Sequence, residues 1–366
     1  MSKPKVILLG KLPPPYYGPA VATRILLDSS LGNHFQLIHV STKLNNTLSG
    51  LGGFDWKKPF KLLLIYFKLF WAILFHWPAM VVVPISQTRA GFTKDAPLII
   101  ISWLLGRKVL LQLRGSDFKN WIDHEKPNVR KWVEKQLKRS FGVVVLGNNL
   151  RYLFEPYFPV ERIYVVPNGG NYEFPEVTGT NEKVKVLYLA NLLETKGVFE
   201  VIKAIDSLKD MKHQFECELV GSWQQEDFKN KCLDYIAENG IEVQISRPKS
   251  GAEKMQTLAD ADIFVFPPNA PEGHPWVLVE ALAAGLPIVS TNQGAIIESV
   301  LHSENGFIVS PNAPDEIASN LKKLIIDEAL RTQMAARSRA HYKAHFTEES
   351  MVKNYVRVFN DIISRA

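Results

Sequence analysis

Residues 262–294 read Asp262-IFVFPPNAPEGHPWVLVEALAAGLPIVSTNQ-Gly294, and their order decides the fold. Ile263 to Phe266 is a short apolar run, as a buried strand requires. Pro267 to Pro275 is a proline-rich loop carrying Glu272. A helix then runs from about Trp276 to Ala284. Pro275 suits its first position, where a missing N–H costs nothing, and Gly285 and Pro287 end it. Ile288 to Thr291 is a second buried strand. The unit gathers its polar residues at the helix N-terminus. Free backbone N–H groups and positive dipole character there suit an anionic ligand. Glu272 stands in the loop and Glu280 eight residues on, among Val277, Leu278, Val279, Ala281 and Leu282. A glutamate inside so apolar a helix either reaches solvent or accepts hydrogen bonds from a diol such as a ribose.

The segment PEGHPWVLVEALAAGLPIVSTNQGAIIE resembles the E-x7-E segment of retaining family 4 glycosyltransferases, which have GT-B architecture. The resemblance implies an α/β fold. Two Rossmann-like domains would face each other across a cleft, and a C-terminal helix would cross back to the N-terminal domain. It implies that Glu272 contacts donor-sugar hydroxyls and that Glu280 holds the nucleotide ribose. The stretch Gly273, His274, Pro275, Trp276 and Val277 would then face sugar and diphosphate, with His274 donating to the ligand or capping the helix. Where the family has Gly-Arg-Leu and then Lys-Gly, this chain has Asn191-LLETKG-Gly197. Lys196 matches a diphosphate-binding lysine, whereas Asn191 replaces an arginine. A charge-assisted bond is worth about 1.5–3 kcal/mol against about 1 for a neutral one, so donor binding leans on Lys196 and the helix N-terminus. Arg247 falls where family members contact the base.

The N-terminal half resembles the family more loosely. Lys5-VILLG-Gly10 reads as a strand, and Gly18-Pro19 stands where two glycines are usual before a helix from about Ala20. Gly18 serves either a tight turn or a phosphate contact. Arg114-GSD-Asp117 ends another strand, at the edge where open α/β sheets bind ligands. Arg114 takes the place of a family histidine, so it pairs with a phosphate or with Asp117. Catalytic roles are expected for Glu272, Lys196 and Arg114. Further expectations are a mobile loop at 43–56, helices at Lys94–Leu105 and Pro314–Ala336, and a strand at Ile241–Ile245.

A chain of 366 residues suffices for two domains, expected at 1–168 (acceptor-binding) and 169–345 (nucleotide-sugar-binding). Residues 346–366 would form the returning helix. Cys217 and Cys232 give no disulfide framework, and a reducing cytosol fits. His341 and His345 have metal-compatible spacing but no third ligand; no Asp-x-Asp motif follows a strand, and no full Gly-x-Gly-x-x-Gly fingerprint is present. Neither metal nor cofactor is expected, the nucleotide-sugar being a substrate, and no nucleic-acid motif is visible.

The net charge of +6 divides into +14 over residues 1–168 and −8 over 169–366. A basic half suits an anionic partner. Lys57-KPFKLLLIYFKLFWAILFH-Trp77 carries more aromatics than one core face can absorb. It is either a helix sandwiched in the core or a monotopic anchor on an anionic membrane; the run is too short and too charged to span. The expected activity is a metal-independent retaining transfer of sugar to a glycan or lipid-linked acceptor, in cell-surface polysaccharide synthesis at the inner face of the cell membrane. Two alternatives are a non-catalytic donor-binding partner in a polysaccharide complex and a nucleotide-sugar epimerase of the same fold class.

Overall fold

The computed structural model describes residues 3–14, 17–44, 57–177 and 182–365. Most of the loop expected at 43–56 lies outside these residues. Two compact units form: Met1–Gly170 with Glu348–Ala366, and Asn171–Thr347.

In the first unit six parallel strands form one sheet: β1 (Lys5–Gly10), β2 (Gln36–Ser41), β3 (Met80–Ile85), β4 (Lys108–Leu113), β5 (Gly142–Val145) and β6 (Ile163–Val165). Their order is β2-β1-β3-β4-β5-β6. Runs such as Val6–Leu9 and Met80–Val83 are buried throughout, as strands covered on both faces must be. The strand order reverses between β1 and β3, which makes a topological switch point there.

The helix after β1 spans Gly18–Asp28, and that after β3 spans Arg89–Leu104. The latter starts five residues before the expected Lys94, because Thr88 Oγ1 accepts the Gly91 N–H at 3.2 Å and caps an earlier turn. The helix Lys57–His76 packs on β1, β2 and Arg89–Leu104 through Ile65, Leu69 and Ile73. Its residues Pro59–His76 are long and apolar enough to cross a membrane by length and composition, contrary to the expectation that the run is too short and too charged. The helix Glu348–Ser364 completes this unit: Tyr355, Phe359 and Ile362 are buried. Phe359 meets Phe35 edge-on at 5.2 Å, Tyr164 donates to Asp361 at 2.6 Å, and Lys108 Nζ donates to the Ile362 carbonyl at 2.7 Å.

The second unit repeats the plan with β7 (Val184–Leu189), β8 (Phe215–Val220), β9 (Gln244–Ser246), β10 (Ile263–Phe266), β11 (Ile288–Thr291) and β12 (Gly306–Val309). All are parallel in the order β12-β11-β10-β7-β8-β9, so the switch point lies between β7 and β10. The strand expected at Ile241–Ile245 begins only at Gln244. The helix expected at Pro314–Ala336 is two, Pro314–Ile326 and Glu328–His345; Asp327 caps the second by accepting from the Leu330 N–H at 2.9 Å.

Candidate functional site

The loop Pro267–Pro275 leaves β10 at the β7/β10 switch point and enters the helix Trp276–Ala284. Its path is held from four sides. Thr291 Oγ1 donates to the Pro268 carbonyl at 2.6 Å, and Ser290 Oγ donates to that of Phe266. The Asn269 N–H donates to the Thr195 carbonyl at 3.2 Å, tying this loop to the one after β7. The Ala295 N–H donates to the Gly273 carbonyl at 2.8 Å.

Two glycines permit these approaches. Gly197 has φ +74°, and a Cβ there would run into the Pro267 carbonyl. Gly294 has φ +57°, and a Cβ there would strike the Glu272 carbonyl. Both take the left-handed region, which disfavours other residues. In the sequence both glycines stand only at the ends of motifs. Positive φ leaves no mark beyond the presence of glycine, and their close approaches to the loop join residues distant in the chain.

This framework brings Lys196 and Glu272 into a direct ion pair, with both side chains mostly shielded from solvent. Lys196 precedes the helix Val198–Asp206, and Glu272 precedes the helix Trp276–Ala284. The helix N-terminal N–H groups and the lysine give the switch point positive character beside one carboxylate. Neither helix N-terminus has a side-chain cap. Gly273 and His274 are buried, while Pro275, Trp276 and Val277 are partly exposed along the loop.

Glu280 does not reach open solvent. It is buried within Trp276–Ala284, and Lys254 Nζ donates to it at 2.5 Å. Burial raises its pKa above the ordinary carboxylate value, and Lys254 partly opposes the shift. No local pattern pointed to Lys254, which comes from a separate helix, Gly251–Ala259.

His274 makes no side-chain cap at the helix Trp276–Ala284. Its imidazole faces the interior, bonded to Ser299 Oγ at 2.7 Å and packed on Phe346 at 5.1 Å between centroids. Burial, with nearby His341 adding to it, pushes its pKa down to about 3. Held by Ser299 and Phe346, it anchors the loop.

Asn191 follows β7, and its Oδ1 accepts from Ser222 Oγ at 3.4 Å. Arg247 lies beyond β9 at the far edge of the sheet, exposed and paired with Glu253 at 2.9 Å. It is not part of the Lys196–Glu272 cluster. His341 bonds the Glu298 carbonyl at 2.8 Å and meets His345 and Phe346 edge-on. Among the described residues no group of three or more metal-ligating side chains is found.

Gly18 and Arg114 belong to the first unit. Gly18 begins its helix, and Arg114 follows β4. Arg114 forms no ion pair with Asp117, whose carboxylate accepts from Asn120 at 2.9 Å. A cavity of about 740 Å³ in the second unit lies under Gly251–Ala259. Several charged groups lining it are already paired, among them Lys249 with Glu218 and Lys212 with Glu242. It reaches Phe215 and Glu216 at the amino end of β8, whereas parallel sheets bind at the carboxyl ends. The switch point is therefore the better site.

Two doubly wound units, with a last helix returning to the first, make a GT-B-like fold. The solved structure of Anabaena Alr3699/HepE in complex with UDP shares it: TM-score 0.73, 17% identity, covering 98% of this chain and 100% of that one. Residues 172–341 match the family model described as glycosyl transferases group 1. The capsular polysaccharide biosynthesis glycosyltransferase CapM of Staphylococcus aureus is 25% identical over 188 residues, 51% of this chain and 48% of that protein. The amylovoran biosynthesis glycosyltransferase AmsK of Erwinia amylovora is 29% identical over 175 residues, 46% of this chain and 42% of that one. The chain thus spans about half the length of these relatives or less.

Proposed function

We propose that this chain is a family 4 retaining glycosyltransferase. It moves a sugar from a nucleoside-diphosphate sugar to a glycan or lipid-linked acceptor in cell-surface polysaccharide synthesis. The observation that carries the reading is the Lys196–Glu272 pair at the β7/β10 switch point, inside the stretch that matches the glycosyl transferase model. CapM and AmsK, named for polysaccharide synthesis, support the product class, and the UDP held by HepE supports the donor class.

In the free protein Lys196 and Glu272 neutralise each other. An arriving diphosphate takes over Lys196, with the N–H groups at Val198 and Trp276 beside it. Glu272 is then released to accept sugar hydroxyls, while Glu280 meets the ribose. Positive charge fixed in place stabilises the leaving diphosphate without reorganising during the reaction. Such a site does a metal ion's electrostatic work, so the transfer is metal-independent. The protein works peripherally at the inner face of the cell membrane, held by the exposed apolar face of Lys57–His76 and the basic balance of the first 168 residues.

The test is release of free nucleoside diphosphate from a panel of nucleotide sugars, with and without acceptor extracts, in EDTA. Release that needs both substrates and survives EDTA is the expected result. Release without acceptor, or only after Mg²⁺ or Mn²⁺ is restored, sinks the transfer or the metal independence respectively.

A further inference from the structure

The helices Gly251–Ala259 and Trp276–Ala284 leave the same sheet beyond the carboxyl ends of β9 and β10, the edge where parallel sheets bind ligands. Lys254 stands near the start of the first helix, and Glu280 in the second turn of the other. Lys254 Nζ donates to Glu280 Oε1 at 2.5 Å. The lysine side chain is 23% exposed and the glutamate 9%, so the pair is shielded while an edge of each still meets solvent. Glu280 Oε2 has no hydrogen-bond partner among the described residues.

A carboxylate so shielded is costly as an ion, and burial favours its protonated form. Lys254 is the charged side chain that opposes this. The other groups nearby do not. Tyr172, in the segment leading to β7, has a buried hydroxyl with no partner among the described residues. Burial, and then the charge of Glu280, raise its pKa well above the ordinary tyrosine value, so it stays neutral. Tyr342, on the helix Glu328–His345, packs on the Tyr172 ring at 6.2 Å between centroids. Glu253 is paired with Arg247, Arg339 donates to the Ala284 carbonyl, and His341 bonds that of Glu298. The ionised state of Glu280 therefore rests on one lysine from another helix.

That state decides what the group can do. An ionised carboxylate accepts at both oxygens, so Lys254 on Oε1 leaves Oε2 for a ligand hydroxyl. A hydrogen bond to an ion is roughly twice as strong as a neutral one. Protonation removes the charge and turns one oxygen into a donor, which suits a diol less well.

Resting on the proposed function, in which Glu280 meets the ribose, we infer that Lys254 is a positioning residue of the donor site. It holds Glu280 as an anion with one oxygen free for the ribose hydroxyls, and so sets how strongly the site prefers a ribonucleotide to one lacking those hydroxyls.

Calorimetry on the full chain at pH 6 and pH 9 tests this, with the nucleoside diphosphate bound most tightly among UDP, GDP and ADP and with its 2′,3′-dideoxy form. The two share base and diphosphate, so their affinity ratio cancels what pH does to the phosphates and isolates the diol. Wild type should prefer the ribonucleotide roughly ten-fold or more at both pH values, the scale of a charged hydrogen bond. Glu280→Gln, neutral at every pH, should lose most of that preference at both. Lys254→Met should behave like Glu280→Gln at pH 6 and regain the wild-type preference at pH 9, where the carboxyl ionises unaided. Lys254→Arg, which keeps the charge, should hold the preference at both. If Lys254→Met unfolds by circular dichroism, Lys254→Gln, neutral but still able to donate, takes its place. Wild-type preference at pH 6 in the neutral lysine variant, or an equal loss at both pH values, overturns the role of Lys254 and leaves the ribose assignment standing. Undiminished preference in Glu280→Gln sinks the ribose assignment and the inference with it. Wild type that binds none of the three nucleotides sinks the donor reading as well.

Discussion

His274 and Glu280 are two ionisable side chains taken out of water on neighbouring turns, and they respond to pH in opposite directions. The folded His274 pKa lies near 3, well below the ordinary histidine value, so between those values the unfolded chain binds a proton that the folded chain refuses. Stability from this group is therefore complete at neutral pH and is lost as pH falls below about 6.5, by about 1.4 kcal/mol per pH unit. Glu280 is raised, so acid favours its folded form. The histidine effect can be isolated by urea unfolding at pH 7 and pH 5. The loss of stability between these values should be about 2 kcal/mol smaller in His274→Leu than in wild type. Equal losses would show that His274 charges inside the folded protein. None of this could be read from the sequence. A histidine beside a helix start looks like a ligand or a cap, and only Ser299 and Phe346, brought in from later elements, turn it inward. Lys196 and Glu272 were legible only through the resemblance of their segments to the family's Lys-Gly and E-x7-E patterns, since a lysine or a glutamate in a loop is a weak signal alone. Their meeting follows from the adjacency of β7 and β10.

At the scale of elements, the helix Trp276–Ala284 was legible to the residue because both of its ends carry chemistry that local sequence displays. Pro275 precedes it, and Gly285 follows with φ +78°. The break at Asp327 was hidden: no proline or glycine lies between Leu324 and Met334, and only the Asp327 cap interrupts the run. The loop between β10 and its helix depends on contacts of long sequence separation, above all the backbone approach of Gly294 to Glu272. Gly294→Ala should therefore do two things at once. It adds a left-handed strain of about 1–2 kcal/mol, and it pushes the Glu272 carbonyl out of place. Thermal unfolding should shift down, and nucleotide-sugar affinity should fall by more than UDP affinity, because Glu272 addresses the sugar in the proposed mechanism. A variant with normal affinity for both would show that the loop path does not set the site.

Over the whole molecule the charge asymmetry and the aromatic helix fall in the same unit. The +14 balance of residues 1–168 accompanies a face of Lys57–His76 on which Phe67 is 58%, Phe70 38% and Trp71 39% exposed. These rings stack on one another and not on a core: Phe67 and Phe70 each meet Trp71 edge-on at 5.8 Å, and Trp71 stacks on Phe75 at 5.3 Å. Ile65, Leu69 and Ile73 on the opposite face do the packing. The fold thus turns the surplus aromatics outward and packs the aliphatic stripe inward, an arrangement that suits a helix lying in a membrane interface. Basic groups border the open stripe: Arg107 lies over the Trp77 ring at 4.0 Å, and Arg139 over Trp103, another exposed ring, at 5.0 Å. Anionic lipid should therefore strengthen attachment, and salt should weaken it within the Debye length. The variant Phe67→Ser, Phe70→Ser, Trp71→Ser removes apolar surface without touching the buried stripe, so it should fold with a wild-type circular dichroism spectrum. Liposome co-sedimentation at low salt should find the wild type in the pellet with anionic lipid and the variant in the supernatant. Wild type remaining in the supernatant would end the membrane reading, and an unfolded variant would show that the aromatic stripe belongs to the core.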